Sequence, residues 1–352
     1  MNYTDLDTPS VLIDHRVALA NLTKFQRYLD EHRIAGRPHI KTHKLPYFAK
    51  RQLELGAKGS TCQKVSEAEA MADGGLDDIL ITFNIVGRPK LERLRDLARR
   101  VKLTVVADHA QVIEGLAEAF RDEPPVGVMI ECDTGAGRNG VATPEQAVAL
   151  AQHVARSQTL FFKGLMSYPK KGAPADTDSF FAAAIDQLRE LGLEPEILSG
   201  GGTPDMWRAH ESRSVNEYRA GTYIYHDRMT MAAGAAQLSD CALTVLATVV
   251  SRPTEDRAIL DTGSKSLAAD PLPGGEGHGH IVEYPEAVIR TLNEEHGIAD
   301  LSRCRDKPRI GDKVRVIPNH ACVVSNLFDR VWFVDGEKVL EAQPVAARGT
   351  VQ

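Results

Sequence analysis

Between residues 10 and 225 the chain alternates short apolar runs with longer stretches whose apolar residues recur every three or four positions. Residues 11–14 (VLID) predict a strand, and the spacing of Leu19, Leu22, Phe25 and Leu29 predicts a helix behind it. The alternation then repeats. Residues 78–83 (DILITF), 103–107 (LTVVA), 126–131 (VGVMIE), 161–166 (FFKGLM) and 196–198 read as strands. Helical sequence separates them, most clearly at 91–100 and 178–191. With residues 38–41 and 58–61 added, the count comes to about eight strand–helix units, which favours a closed (β/α)8 barrel of the TIM type over an open parallel sheet.

After residue 226 the texture changes. Residues 243–250, 257–261, 313–317, 331–334 and 338–343 are short strand-like runs punctuated by Gly, Pro and Asp, and residues 285–296 alone read as a convincing helix. The expected architecture is therefore α/β: a barrel over residues 10–226 and a mostly-β domain over residues 227–352 that also takes in residues 1–9. A length of 352 residues agrees with more than one domain.

Composition narrows the function. The 43% hydrophobic and 26% charged residues belong to a globular chain. There are 42 Lys and Arg against 48 Asp and Glu, a net charge of −6, and no basic stripe, so no nucleic-acid partner is expected. No apolar run approaches the roughly 20 residues that cross a bilayer. Residues 1–14 are too polar for a signal peptide, and no membrane association is expected. Five cysteines without a CxxC pair point to a reducing, cytoplasmic setting with no disulfide framework.

Four segments carry candidate chemistry. Residues 37–44 (RPHIKTHK) put two lysines and two histidines at the expected C-terminal end of a barrel strand, the end that bears active sites. A lysine there can serve as a Schiff-base nucleophile; the alternative is a solvated basic loop. Residues 133–140 (DTGAGRNG) combine turn glycines with Arg138, a rigid charged donor, though turn chemistry alone accounts for the glycines equally well. In residues 199–203 (SGGGT), glycine N–H groups and the hydroxyls of Ser199 and Thr203 suit a phosphate, without matching a Walker A or GxGxxG motif. His320 and Cys322, two apart in NHAC after the strand at 313–317, would share a face if the chain stays extended, and form a partial zinc set. A core cysteine beside an incidental histidine is the alternative, and His278 and His280 in GHGH are rival ligands.

Taken in order, DTPSVLID, RPHIKTHK, DTGAGRNG, SGGGTP, EYRAGTYIYHD and PNHAC resemble the D-threonine aldolase and eukaryotic-type D-serine dehydratase family, relatives of alanine racemase, over nearly the whole chain. The resemblance implies a pyridoxal 5′-phosphate (PLP) enzyme with an N-terminal barrel and a C-terminal β domain. It puts the Schiff base on Lys41, Arg138 near the phenolic oxygen of PLP, and Ser199, Gly201, Gly202 and Thr203 at its phosphate. Tyr168 and Tyr223 join the cofactor site, and Arg219 lies where alanine racemases place an arginine against the pyridine nitrogen. His320 and Cys322 become the ligands of a divalent cation, Zn²⁺ or Mn²⁺. The implied substrate is a D-β-hydroxy-amino acid, cleaved by retro-aldol chemistry or, alternatively, dehydrated to a 2-oxo acid and ammonia. Racemization and non-catalytic PLP binding are weaker alternatives. A homodimer is implied as well.

Overall fold

The eight short runs that alternate with helices form one parallel sheet. In the computed structural model, which describes residues 1–352, its strands run in the order Ala35–Gly36, Glu217–Tyr218, Ile197–Gly200, Leu160–Ser167, Val126–Cys132, Lys102–Ala107, Asp78–Ile81 and Ser60–Cys62. Lys58 N donates to the carbonyl of Gly36 (2.8 Å) and Thr61 N to that of Pro38 (2.8 Å), so the last strand meets the first and the barrel closes. Leu80, Val106, Met129 and Met166, one from each of four neighbouring strands, pack as a single buried cluster with Ile197 against it. Each such side chain contributes about 1.5–3 kcal/mol by leaving water. Helices Pro46–Glu54, Val65–Asp73, Arg88–Ala98, Ala110–Ala119, Pro144–Ala155 and Pro174–Glu190 separate the strands. The Pro at the first turn of four of them costs nothing, because that N–H has no intrahelical acceptor.

The chain divides into two compact units. One, the barrel, comprises Phe25–Lys41, Pro46–Gly221 and Thr350–Gln352; the other comprises Met1–Lys24, Thr42–Leu45 and Thr222–Gly349. The second holds a nine-stranded, mainly antiparallel sheet. At its centre Leu243–Thr254 pairs with Ser10–Asp14 and with Lys313–Pro318. Leu6, Leu12, Leu246 and Val334 are buried together there. No helix is long and apolar enough to cross a membrane.

Three expectations need correction. Residues 11–14 do not open the barrel: Val11, Leu12 and Ile13 are wholly buried in the antiparallel sheet, paired with residues more than 200 positions away. The missing barrel strand is Glu217–Tyr218, which at two residues shows no periodicity to read. The division accordingly falls between residues 221 and 222, with residues 1–24 in the β unit, rather than at 226. Residues 285–296 form no helix. Val288–Leu292 is a strand antiparallel to Gly297–Asp300, and β-branched Val288, Ile289 and Thr291 suit that extended backbone. The strand expected at 38–41 is likewise confined to Ala35–Gly36, followed by a 3₁₀ turn over Ile40–Thr42.

The barrel strand Leu160–Ser167 carries a bulge. Its register against Val126–Cys132 shifts between Val128 and Met129, and Gly164 there adopts φ +153°. A Cβ on Gly164 would lie 1.9 Å from the carbonyl oxygen of Ile197. Gly164→Ala is expected to lower stability by about 3 kcal/mol or more, read as a reduced urea midpoint at unchanged slope.

Candidate active site

Each loop that carries a candidate residue of the barrel unit is built locally. Lys41 sits in the 3₁₀ turn Ile40–Thr42, half-buried, with its backbone N–H donating to His39 Nδ1 (3.3 Å) and no partner at its Nζ. In the 133–140 loop the N–H groups of Gly135 and Gly137 both donate to Asp133 Oδ1 (3.0 and 3.1 Å). Gly140 N donates to Asp108 Oδ2 (3.0 Å) and the Asn139 amide to Glu131 Oε2 (3.3 Å). This frame presents the Arg138 guanidinium over the ring of Tyr168, 4.6 Å from its centroid. Gly202 backs the same ring: a Cβ there would come within 2.9 Å of Tyr168 Cε2.

Gly201 has φ +88°, and any Cβ would enter the ring of Tyr218, whose hydroxyl donates to the Gly202 carbonyl (2.9 Å). Thr203 then opens the 3₁₀ helix Thr203–Glu211. Its hydroxyl is buried and lacks a protein partner. An orphaned hydroxyl beside a glycine pair at a helix start fits the phosphate group of PLP. Lys41, Arg138, Tyr168, Gly201, Gly202 and Thr203 are thus all available to a cofactor of that kind.

Ser199 is differently placed. It is fully buried, donates to Glu217 Oε1 (2.7 Å) and accepts from Arg219 (2.5 Å). Arg219 also donates to the Ser167 carbonyl (2.8 Å). Burial depresses this guanidinium to about 10, against the opposing pull of Glu217 and Glu131. Glu217 in turn accepts from Arg37 Nε (2.7 Å), and Arg37 reaches Asp78 (2.6 Å). A continuous polar chain therefore runs Asp78–Arg37–Glu217–Ser199–Arg219–Ser167 through the barrel interior. Glu131, also buried, is pushed up by desolvation. Sequence reading missed Glu131, Glu217 and Asp108, which lie inside or beside apolar strands and carry no motif of their own.

In the β unit, His320 and Cys322 do not lie on an extended strand. His320 stands at the N-cap position of the helix Ala321–Leu327 without a side-chain capping bond, and Cys322 lies in its first turn. Asp227, wholly buried, accepts from Ala321 N (3.0 Å), caps the helix Arg228–Ala232 by accepting from Thr230 N (2.8 Å), and bonds His320 Nδ1 (3.1 Å). That bond engages His320 Nδ1 and fixes the ring, the arrangement in which a carboxylate orients a metal-binding imidazole. Burial disfavours the imidazolium, but hydrogen bonds from His320 to Asp227 and Cys322 push it up to about 10. Cys322 Sγ lies 3.0 Å from Thr42 Oγ1 and 3.4 Å from Thr222 Oγ1. Imidazole and thiol fit a divalent cation as two donors; no third His, Cys, Asp or Glu is placed to complete a three-ligand set with them. Tyr223 is buried in the turn Thr222–Ile224 of this unit. His278 and His280 belong to the loop and strand around Gly279–Ile281, and each keeps one ring nitrogen unbonded.

A parallel barrel with a mostly-β unit defines an alanine racemase-type fold. The sequence profile of the alanine racemase N-terminal domain matches residues 13–229, and that of the serine dehydratase domain matches residues 242–334. The chain is 34% identical to a D-threonine aldolase of Arthrobacter sp. over 98% of its own length and 93% of that protein. It superposes on the crystal structure of D-threonine aldolase from Filomicrobium marinum with a TM-score of 0.92 at 33% identity, covering 99% of this chain and 97% of that one. D-threo-3-hydroxyaspartate dehydratase from Delftia sp. HT23 is similar too (TM-score 0.88, 26% identity, 97% and 98% covered). A structure of a dehydratase of that name is a Cys-to-Ala variant in the metal-free form (TM-score 0.85, 26% identity, 98% and 99% covered). The chain belongs to the alanine racemase-like family, in the branch of the D-threonine aldolases and D-serine dehydratases. It is a lyase of a PLP-dependent family.

Two outcomes follow from this geometry. Glu217→Gln removes one of the two carboxylates that neutralise a buried guanidinium, and is expected to cost about 3 kcal/mol or more, seen as an early thermal transition of the cofactor-free protein. His226, buried beside Asp227 at φ 48°, is held neutral by desolvation, its pKa lowered to about 4 from 6.5. The unfolded chain therefore binds more protons between those values, and stability falls as pH drops from 6.5 towards 4. His226→Asn, which tolerates the left-handed backbone, is expected to flatten that fall by on the order of 2–3 kcal/mol, measured as urea midpoints at pH 4.5 and 7.

Proposed function

We propose that the chain is a PLP- and divalent-metal-dependent lyase that cleaves D-threonine and related D-β-hydroxy-amino acids to glycine and an aldehyde. The observation that carries this reading is the 34% identity to a D-threonine aldolase along practically the whole of both chains. Bound PLP supplies an electron sink conjugated to the substrate's Cα, and a divalent cation supplies a Lewis acid. Lys41 would be the amine that anchors the cofactor, and its Nζ the group that moves a proton at the substrate. Arg138, stacked over the Tyr168 ring, would hold the cofactor's phenolic oxygen side. Gly201, Gly202 and Thr203 would hold the phosphate. His320 Nε2 and Cys322 Sγ would be the donors for the cation, and Asp227, bonded to Nδ1, fixes the orientation of the His320 ring. Thiolate softness favours Zn²⁺ over Mn²⁺.

The second reading is dehydration to a 2-oxo acid and ammonia. Cys322 favours it, because a similar D-threo-3-hydroxyaspartate dehydratase has a cysteine whose alanine variant was obtained free of metal. The same residues serve both reactions. Retro-aldol cleavage takes the proton of the β-hydroxyl and dehydration that of Cα, so which of these protons the chain's own residues remove decides between them. A homodimer and a cytoplasmic location, the latter supported by five free thiols, are part of this reading.

Incubation with D-threonine and Zn²⁺ or Mn²⁺ is expected to yield acetaldehyde and glycine in equal amounts; exclusive 2-oxobutyrate and ammonia would overturn the aldolase reading in favour of the dehydratase. Lys41→Ala is expected to abolish the visible cofactor absorbance and lower turnover about 10³-fold or more. His320→Ala should leave the absorbance but lose the activity that EDTA removes and metal restores.

A further inference from the structure

The barrel's N-terminal end, opposite the strand ends that lead to Tyr168 and Gly201, is not filled. A cavity of about 610 Å³ occupies it. Strand-opening residues wall it, among them Ala35, Asp78, Lys102, Ile197 and Glu217. Barrels of this type usually pack branched apolar side chains in layers along their interior. Here the strands Ala35–Gly36 and Glu217–Tyr218 are two residues long, and Gly36 has no side chain to offer.

What lines the space instead is charge. Five cations, Arg33, Arg37, Lys58, Lys102 and Lys163, meet four carboxylates. Those carboxylates are already committed. Glu217 and Asp78 hold Arg37, and Asp78 also faces Lys102 (3.0 Å). Glu196 pairs with Lys163, and Asp30 accepts from the Gln26 amide (2.9 Å). Arg33 and Lys58 are left with no carboxylate. The Lys163 side chain is 13% exposed while that of its partner Glu196 is 66% exposed, so the lysine is covered and its partner stands in solvent. Lys163 is the extra residue of the bulge that ends at Gly164. Arg33 follows the helix His15–Glu31 in the left-handed region (φ 57°), a position that glycine usually fills at a helix end. The chain keeps a guanidinium there despite the backbone strain.

We propose that the N-terminal mouth of the barrel binds a small, doubly charged anion, an oxyanion such as phosphate or a dicarboxylate, held by Arg33, Lys58, Lys102 and Lys163. Arg33, Lys58 and Lys102 are exposed at the rim and Lys163 is largely covered, so the cations converge on the mouth from several sides. The anion adds a partner for Arg33 and Lys58, which have no carboxylate of their own. The site is separate from the catalytic end and does not depend on which reaction the enzyme performs.

The test is titration calorimetry on the cofactor-saturated enzyme, whose own phosphate seat is filled, with inorganic phosphate and with succinate. Chloride at matched ionic strength is the reference. Saturable binding is expected for one or both anions, weakened about tenfold or more in the Arg33→Gly, Lys58→Ala double variant. Glycine suits the left-handed backbone at 33 and residue 58 is exposed, so the variant is expected to melt like the parent, and Lys58→Glu alone offers a second route to the same loss. Binding of phosphate alone identifies an oxyanion site, and binding of succinate alone a dicarboxylate site. Heats no larger than those of chloride for both anions, or affinities unchanged in the variants, would overturn the proposal.

Discussion

Arg37 is the residue on which the barrel unit depends. Its side chain is only 8% exposed, and burial works against its charge, yet Glu217 and Asp78 more than restore it and hold its pKa above the ordinary arginine value. Glu217 and Asp78 open two different strands and Arg37 directly follows a third, and both Glu217–Tyr218 and Ala35–Gly36 are only two residues long. Two residues of ladder cannot hold a strand in a closed sheet unaided. A buried guanidinium bonded to Glu217 on one side and Asp78 on the other ties this strand and Ala35–Gly36 into the sheet where regular pairing is shortest. Leaving such a charge unpaired is far more costly than the modest net gain of making the pair, so the arrangement specifies one register.

From that knot, order passes toward the catalytic end. Glu217 engages Ser199, Ser199 engages Arg219, and Arg219 engages the backbone of Ser167, the last residue of the strand before Tyr168. The loop that follows Ser199 is then free to be almost entirely backbone: Gly201 against the Tyr218 ring, Gly202 against the Tyr168 ring, and Thr203 with an unclaimed hydroxyl. Rigid polar support on one side and missing side chains on the other is what a phosphate seat requires.

The β unit uses the same logic with a carboxylate in the central place. Asp227 caps one helix, accepts from the first turn of another, and orients His320. One fully buried side chain thereby fixes both the start of Ala321–Leu327 and the ring that precedes it. That explains why His320 and Cys322 come together although the extended chain expected of them is absent: a helix cap turns the imidazole toward the thiol of its own first turn.

Much was legible in the sequence. Short runs, most of them apolar, with helical sequence between them marked six of the eight barrel strands to within a few positions, because strands buried on both faces need continuous hydrophobic sequence. The motifs RPHIKTHK, DTGAGRNG, SGGGT and NHAC were visible because glycine, lysine and histidine are conspicuous where apolar sequence is the rule. Pairing across the chain was not legible. Residues 11–14 look like any barrel strand, and only their hydrogen bonds to residues 243–246 and 332–334 put them in the other sheet. The two-residue strand at 217, the strand mistaken for a helix at 288–292, and the roles of Glu217, Glu131 and Asp227 were decided by tertiary structure alone. A buried carboxylate announces nothing in a sequence, since its meaning lies in the cation or N–H that folding brings to it. Local composition thus determined the kinds of element and the residues able to do chemistry, while long-range charge pairing decided which strands are neighbours and which of those residues are held in place.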